Sequence, residues 1–227
     1  MMNRKLATIA LFAAFLVCSQ VLAADFDFSG NFTKDNDVVR LNFSVGSDST
    51  ITIFSSSWQY PYGDPGYDTS RGFDPILAIW TSAGDLVAQQ DDGHVIGSTL
   101  SNSVPYYHGN WDSYFDVALT AGDYIATIGE YDNFAVDSLL ADGFRYDAVP
   151  DFTFTNGYGA QPDFNGVGPE GLDARTSNWQ FHILNVNSAQ QDNGSVPEPT
   201  TLLIWSGLGA MGAVVAMLRR RRNRTAG

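Results

Sequence analysis

Val39, Leu41, Phe43 and Val45 alternate with Arg40, Asn42 and Ser44, and this period of two constrains the fold more than any other feature of the chain. Successive side chains of an extended strand point to opposite faces, so such a segment buries one face and wets the other. The pattern recurs at Phe26 and Phe28, Ile51 and Ile53, Leu77 and Ile79, Phe115, Val117 and Leu119, residues 124–128, and Trp179, Phe181 and Ile183. Between these runs lie Gly46-Ser47-Asp48, Ala83-Gly84-Asp85, Asp91-Asp92-Gly93 and Ala121-Gly122-Asp123, the residue types that make tight turns. Short alternating strands with frequent turns predict an all-β fold, an antiparallel sandwich or barrel. Residues 55–72 and 95–110 read as long polar-aromatic loops, and residues 142–173 have no clear period.

The two ends follow different rules. Arg4 and Lys5 precede an uncharged run over residues 6–17, and Val21-Leu22-Ala23-Ala24 then leads into Asp25. A basic start, a short apolar stretch and small residues before an acidic one describe a secretory signal peptide over residues 1–24, with Cys18 inside the discarded part. Near the other end, residues 201–218 carry no charge and are followed by Arg219, Arg220, Arg221 and Arg222. At a rise of about 1.5 Å per residue, 18 residues give a helix of ~27 Å, close to bilayer thickness. The arginines would hold the far end in the cytoplasm. Both termini thus start inside, and the region between them is expected outside the membrane.

That region is strongly acidic. Residues 25–195 hold five of the twelve basic residues and 24 of the 25 acids, a formal net charge of −19, and 22 of those acids are Asp. Nucleic acid is a poor partner for such a surface, because phosphate binding needs clustered Lys and Arg. The region has no cysteine, so its stability must come from the core and from cations that relieve self-repulsion. Its length suits one domain, residues 25–187, followed by a polar linker at 188–195.

Val196-Pro197-Glu198-Pro199, an apolar helix and an arginine cluster, all within residues 196–224, resemble the PEP-CTERM sorting signal. The resemblance implies processing by an exosortase-like transpeptidase after signal peptidase has acted, and transient anchoring by the C-terminal helix. It also implies delivery to the cell surface or to an extracellular matrix of exopolysaccharide, as in a biofilm. A second resemblance covers residues 25–130. Asp35-Asn36-Asp37 before an alternating run, Phe73-Asp74-Pro75-Ile76-Leu77, Asp91-Asp92-Gly93 and Leu119-Thr120-Ala121-Gly122-Asp123-Tyr124 are similar to the bacterial pre-peptidase C-terminal (PPC) domain. That family implies a jelly-roll-like β-sandwich whose loops can hold calcium.

Ca²⁺ takes six to eight oxygen ligands. On that ground and on the resemblance, Asp35, Asp37, Asp91, Asp92 and Asp112 are the candidate ligands, and Ca²⁺ the candidate cofactor. The alternative is that these Asp residues make turns through bonds to backbone. Trp58, Tyr60, Tyr62, Tyr107 and Trp111 place flat rings beside polar groups, as sugar recognition needs. The alternative is rings folded onto the sandwich edge. Catalysis finds no motif: His94, His108 and His182 lack metal-ligand spacing, no Gly-x-Ser-x-Gly elbow occurs, and His182 falls on the expected solvent face of its strand. The expectation is therefore a non-catalytic exported surface or matrix protein. A carbohydrate-binding lectin-like module is the first alternative and a secreted glycan hydrolase the second.

Overall fold

Every alternating run forms a strand. The computed structural model of the protein describes residues 22–58, 72–159, 161–166 and 174–192. The strands are β1 (Ala24–Asn31), β2 (Val39–Val45), β3 (Ser49–Ser55), β4 (Pro75–Thr81), β5 (Leu86–Gln90), β6 (Gly97–Ser101), β7 (Val104–His108), β8 (Tyr114–Leu119), β9 (Gly122–Glu130), β10 (Asn178–Val186) and β11 (Ser188–Gln191). One four-residue helix, α1 (Phe152–Thr155), is present among the described residues. The strands pair antiparallel in three sheets, with orders β1-β10-β3-β8, β11-β2-β9-β4-β5 and β6-β7. The expected signal peptide and sorting helix lie outside the described residues. Among the described residues, no helix is long and apolar enough to cross a membrane.

The two larger sheets share one core, which gives the protein its sandwich-like, all-β character. The four-stranded sheet contributes Ile51, Ile53, Leu119, Trp179, Phe181 and Ile183, and the five-stranded sheet Leu41, Phe43, Leu77, Ile79, Ala126 and Ile128. Each such side chain contributes about 1.5–3 kcal/mol on full burial, so the alternation read from the sequence supplies most of the driving force. β10 lies between β1 and β3. Residues 25–130 therefore close their four-stranded sheet only with a strand from far beyond residue 130.

Both outer faces are covered as well. Over the five-stranded sheet, Leu140 and Phe144 pack on Ala78 and Trp80. Over the four-stranded sheet lies the β6-β7 hairpin, built from residues expected to be a loop. The hairpin reads poorly because its pattern is inverted. Thr99, Ser101, Tyr106 and His108 are its more buried positions, whereas Leu100, Val104 and Tyr107 are exposed. Two further expectations change. His182 is buried rather than solvent-facing, because Tyr106 of the hairpin covers it at 4.1 Å between ring centres. Ser188–Gln191, read as the start of the linker, is strand β11, since Ala189 packs on the core and Ser188 Oγ meets Ser44 Oγ at 2.6 Å.

Candidate metal centre

At one end of the sandwich, two segments bring carboxylates together. Asp74 immediately precedes β4, and Asp91 and Asp92 immediately follow its neighbour β5. One ligand oxygen from each of Asp74, Asp91 and Asp92 lies within 4.8 Å of the others. Oxygens around a cation at 2.3–2.6 Å span at most about 5 Å, so one ion can touch all three. Local geometry holds the turn in place. Ser113 Oγ lies 2.7 Å from Pro75 O and 3.0 Å from Gln90 O, and Gly93 N donates to Asp112 O at 2.9 Å. A Cβ at Gly93 would meet Tyr114 Cβ at 2.5 Å and Asp112 O at 2.9 Å, so the Asp-Asp-Gly turn fits against β8 only with glycine third.

The electrostatics of the cluster are unbalanced. Asp74 is 2% exposed, and neither of its carboxylate oxygens has a hydrogen-bond partner. Asp91 Oδ1 and Asp92 Oδ1 are likewise buried without one. Burial, then the charges of Asp91, Asp92 and Asp112, push the Asp74 carboxyl well above its usual range against the pull of Arg175. Burial, then Asp92, lifts Asp91 to about 7, and burial also raises Asp92. Glu130, whose Cα pairs with that of Pro75 beside Asp74, is 1% exposed with both oxygens unpartnered. Burial, then the nearby Asp35, raises it well above normal. Buried carboxylates of this kind must hold protons or a counter-charge. The triplet is purely oxygen-donating, which suits a hard divalent cation of the Ca²⁺ type over the softer metals that select nitrogen and sulfur.

The five Asp residues proposed from the sequence separate into two groups. Asp91 and Asp92 join the cluster. Asp35, Asp37 and Asp112 instead serve the chain's own hydrogen bonds. Asp35 accepts from Thr153 N at 2.9 Å, Thr153 Oγ1 at 2.6 Å and Phe164 N at 2.6 Å, tying the segment around α1 to the sandwich. Asp37 accepts from Thr33 N and Lys34 N at 2.6 and 3.0 Å, closing its own turn. Asp112 accepts from Ser55 Oγ, Trp58 N and Gly109 N at 2.8–3.0 Å. Two residues were missed as ligands or neighbours. Asp74 carried a usable signal, as the acid before a strand-initiating proline, while Glu130 looked like an ordinary strand end.

The candidate sugar-binding rings also separate. Trp58 is 2% exposed, with the Arg175 guanidinium carbon 3.7 Å from its ring centre and Trp111 at 6.0 Å. Its flat face is thus occupied by a cation the fold must shield, and it offers no platform to a sugar. Trp111 is half-buried and Tyr107 exposed, while Tyr60 and Tyr62 lie outside the described residues. The chain matches no protein-family model and no curated protein.

Proposed function

We propose that the protein is an exported β-sandwich module of the cell surface or exopolysaccharide matrix, held rigid by a divalent cation of the Ca²⁺ type bound by Asp74, Asp91 and Asp92. The observation that carries the cation is Asp74, a fully desolvated carboxylate with no hydrogen-bond partner facing two more acids. Export and sorting rest on the two terminal segments. The start of β1 at Ala24, the expected cleavage point, supports a domain that begins where the signal peptide would end. Its jelly-roll-like connectivity belongs to the same reading. The role is structural, and contact with polysaccharide would fall on the hairpin around the exposed Tyr107.

Thermal melting of the protein in EDTA and in excess Ca²⁺ tests the cation. Binding to the folded state alone stabilises by about 2.7 kcal/mol at a hundredfold excess over Kd. For a domain of this size that is a rise of roughly 5–10 °C. Identical melts would remove the cation. Recovery of the unprocessed chain from cytosol would remove export, whereas loss of the residues beyond about Pro199 from a surface fraction supports it.

A further inference from the structure

The hairpin-covered face of the four-stranded sheet carries an arrangement unrelated to the acidic end. Asp27 on β1 pairs with His182 on β10, and His182 pairs with Phe54 on β3. Ser56, two residues after Phe54, directly follows β3, with its N–H donating to Gln180 O at 3.2 Å. Three adjacent strands in this register put Asp27, His182 and Ser56 on one face, in line. The side chains meet accordingly: Asp27 Oδ1 is 2.7 Å from His182 Nδ1, and His182 Nε2 is 2.8 Å from Ser56 Oγ. We infer that Ser56, His182 and Asp27 form a nucleophile–base–orienter triad acting on small carboxylic esters, an activity beyond the structural role proposed above.

His182 and Asp27 are in the states that chemistry requires. Burial depresses the affinity of His182 for a proton more than Asp27 raises it, so the imidazole is neutral near pH 7 and free to accept. Burial opposes ionisation of Asp27, but its contacts with His182 and Asn102 outweigh it and hold its carboxyl below the usual range. The carboxylate therefore fixes the tautomer with hydrogen on Nδ1 and the lone pair on Nε2. Asn102 Nδ2, in the hairpin turn, donates to Asp27 Oδ2 at 2.9 Å. Phe54 at 4.4 Å and Tyr106 at 4.1 Å hold the imidazole plane.

Access sets the substrate class. A cavity of about 160 Å³ is lined by Asp27, Phe28, Ser29, Tyr106, Gln180 and His182. Ser56 is buried, and its hydroxyl donates to Gln180 Oε1 at 2.8 Å while its Oγ lies 2.8 Å from His182 Nε2, so Gln180 must move before the hydroxyl hydrogen passes to the imidazole. Two cavity-lining side chains thus stand over the hydroxyl, and swinging the half-exposed Gln180 aside opens it. The cavity is well below the ~300–1,000 Å³ of drug-sized sites, so it admits a short acyl group such as acetyl with the alcohol portion outside. In the reaction, Ser56 Oγ bonds to the ester carbonyl carbon while its proton passes to His182 Nε2. The carbon–oxygen bond to the alcohol then breaks, and the alcohol leaves with that proton. Water, deprotonated by His182, releases the carboxylate and restores the hydroxyl. No sequence motif announces this triad, because its members are separated by 29 and 126 residues and only the β1-β10-β3 register unites them.

The full chain in detergent, treated with a fluorophosphonate and digested for mass spectrometry, should carry the label on Ser56, and it should hydrolyse p-nitrophenyl acetate. Ser56→Ala and Asp27→Asn should each lower that rate by roughly a hundredfold or more, while Ser56→Ala stays folded and keeps its Ca²⁺ response. Absence of label on wild-type Ser56, or equal hydrolysis by wild type and Ser56→Ala, overturns the inference and leaves the three residues a hydrogen-bonded strut. Because the Ca²⁺ response is read separately at Asp74, either reading can fail alone.

Discussion

Two of the polar clusters buried among the described residues are opposites. On the hairpin face, Asp27, His182, Ser56 and Asn102 meet one another at 2.7–2.9 Å, so burial is offset internally. At the acidic end, Asp74 and Glu130 are buried as deeply as His182 and Ser56, yet none of their four carboxylate oxygens is hydrogen-bonded. Sheet register explains the first: neighbouring strands deliver unlike groups to one another. The second arises where separate segments deliver like groups to one point. A closed network specifies its own geometry, whereas an open one depends on what the solvent supplies. The same fold thus builds a closed polar network on one face and an open acidic one at its end.

The largest expected effect comes from breaking the open cluster. Asp74→Asn removes a buried charge and adds an N–H₂ able to donate to Asp91 or Asp92. In EDTA it should melt higher than wild type by the equivalent of about 1–3 kcal/mol, and it should lose the ~5–10 °C rise in Ca²⁺. Melting curves of the two proteins with and without the ion would therefore cross. If Asp74→Asn melts lower in EDTA and still responds to Ca²⁺, the cluster is not the ion's site.

A middle-sized effect is the opposite response of the two regions to pH in EDTA. Asp91 is lifted from 3.8 to about 7, so between roughly pH 4 and 7 the folded state binds more protons than the unfolded one. Its contribution to stability is then greatest in acid and falls as pH rises through that window. His182 is lowered from 6.5, so the unfolded state binds more protons below that value, and stability falls as pH drops. Hydrogen exchange, corrected for intrinsic rates, should show the β5-β8 end better protected at pH 5 than at pH 7 and the β6-β7 hairpin less so. Adding Ca²⁺ should protect the acidic end at pH 7 without changing the hairpin. Parallel responses in both regions would erase the contrast.

How much of this was legible follows from which interactions are local. The alternation at Val39–Val45 and Trp179–Ile183 announced strands because one face of each enters the core. Asp91 and Asp92 were legible because an Asp-Asp-Gly turn is a local event. Asp74 escaped because its partnership runs between β4 and the end of β5, and the pairing of those strands is a property of the sheet. His182 was misplaced for the same kind of reason. Alternation correctly put it on the outer face of β10, but not the hairpin that covers that face. The hairpin itself was hidden because its polar side faces inward, onto Asp27 and His182, and its apolar side outward. Trp58 looked like a sugar platform because an aromatic run cannot disclose that Arg175, 117 residues on, lies over the ring.

The smallest effect tests whether the acidic end is neutralised by the protein's own cations. Lys34 Nζ is 3.5 Å from Asp163 Oδ2, and the lysine side chain is 51% exposed. Asp163 Oδ1 is buried without a partner. An exposed lysine on a flexible stem gains little from such a contact, because water screens the charge and ordering the chain costs entropy; pairs of this kind are worth about 0.2–1 kcal/mol. Lys34→Ala should therefore move the melting temperature by no more than about 1–4 °C and leave the Ca²⁺ response intact. Arg175, the basic group that acts on Asp74, has its Nε committed to Gly72 O at 2.8 Å and its guanidinium stacked on Trp58. If Lys34→Ala instead cost several kcal/mol or abolished the response to Ca²⁺, the counter-charge for this end would come from the chain's own lysine, and the two polar clusters would differ only in exposure. A small effect leaves a small mobile cation as the species able to reach the buried oxygens that no side chain meets.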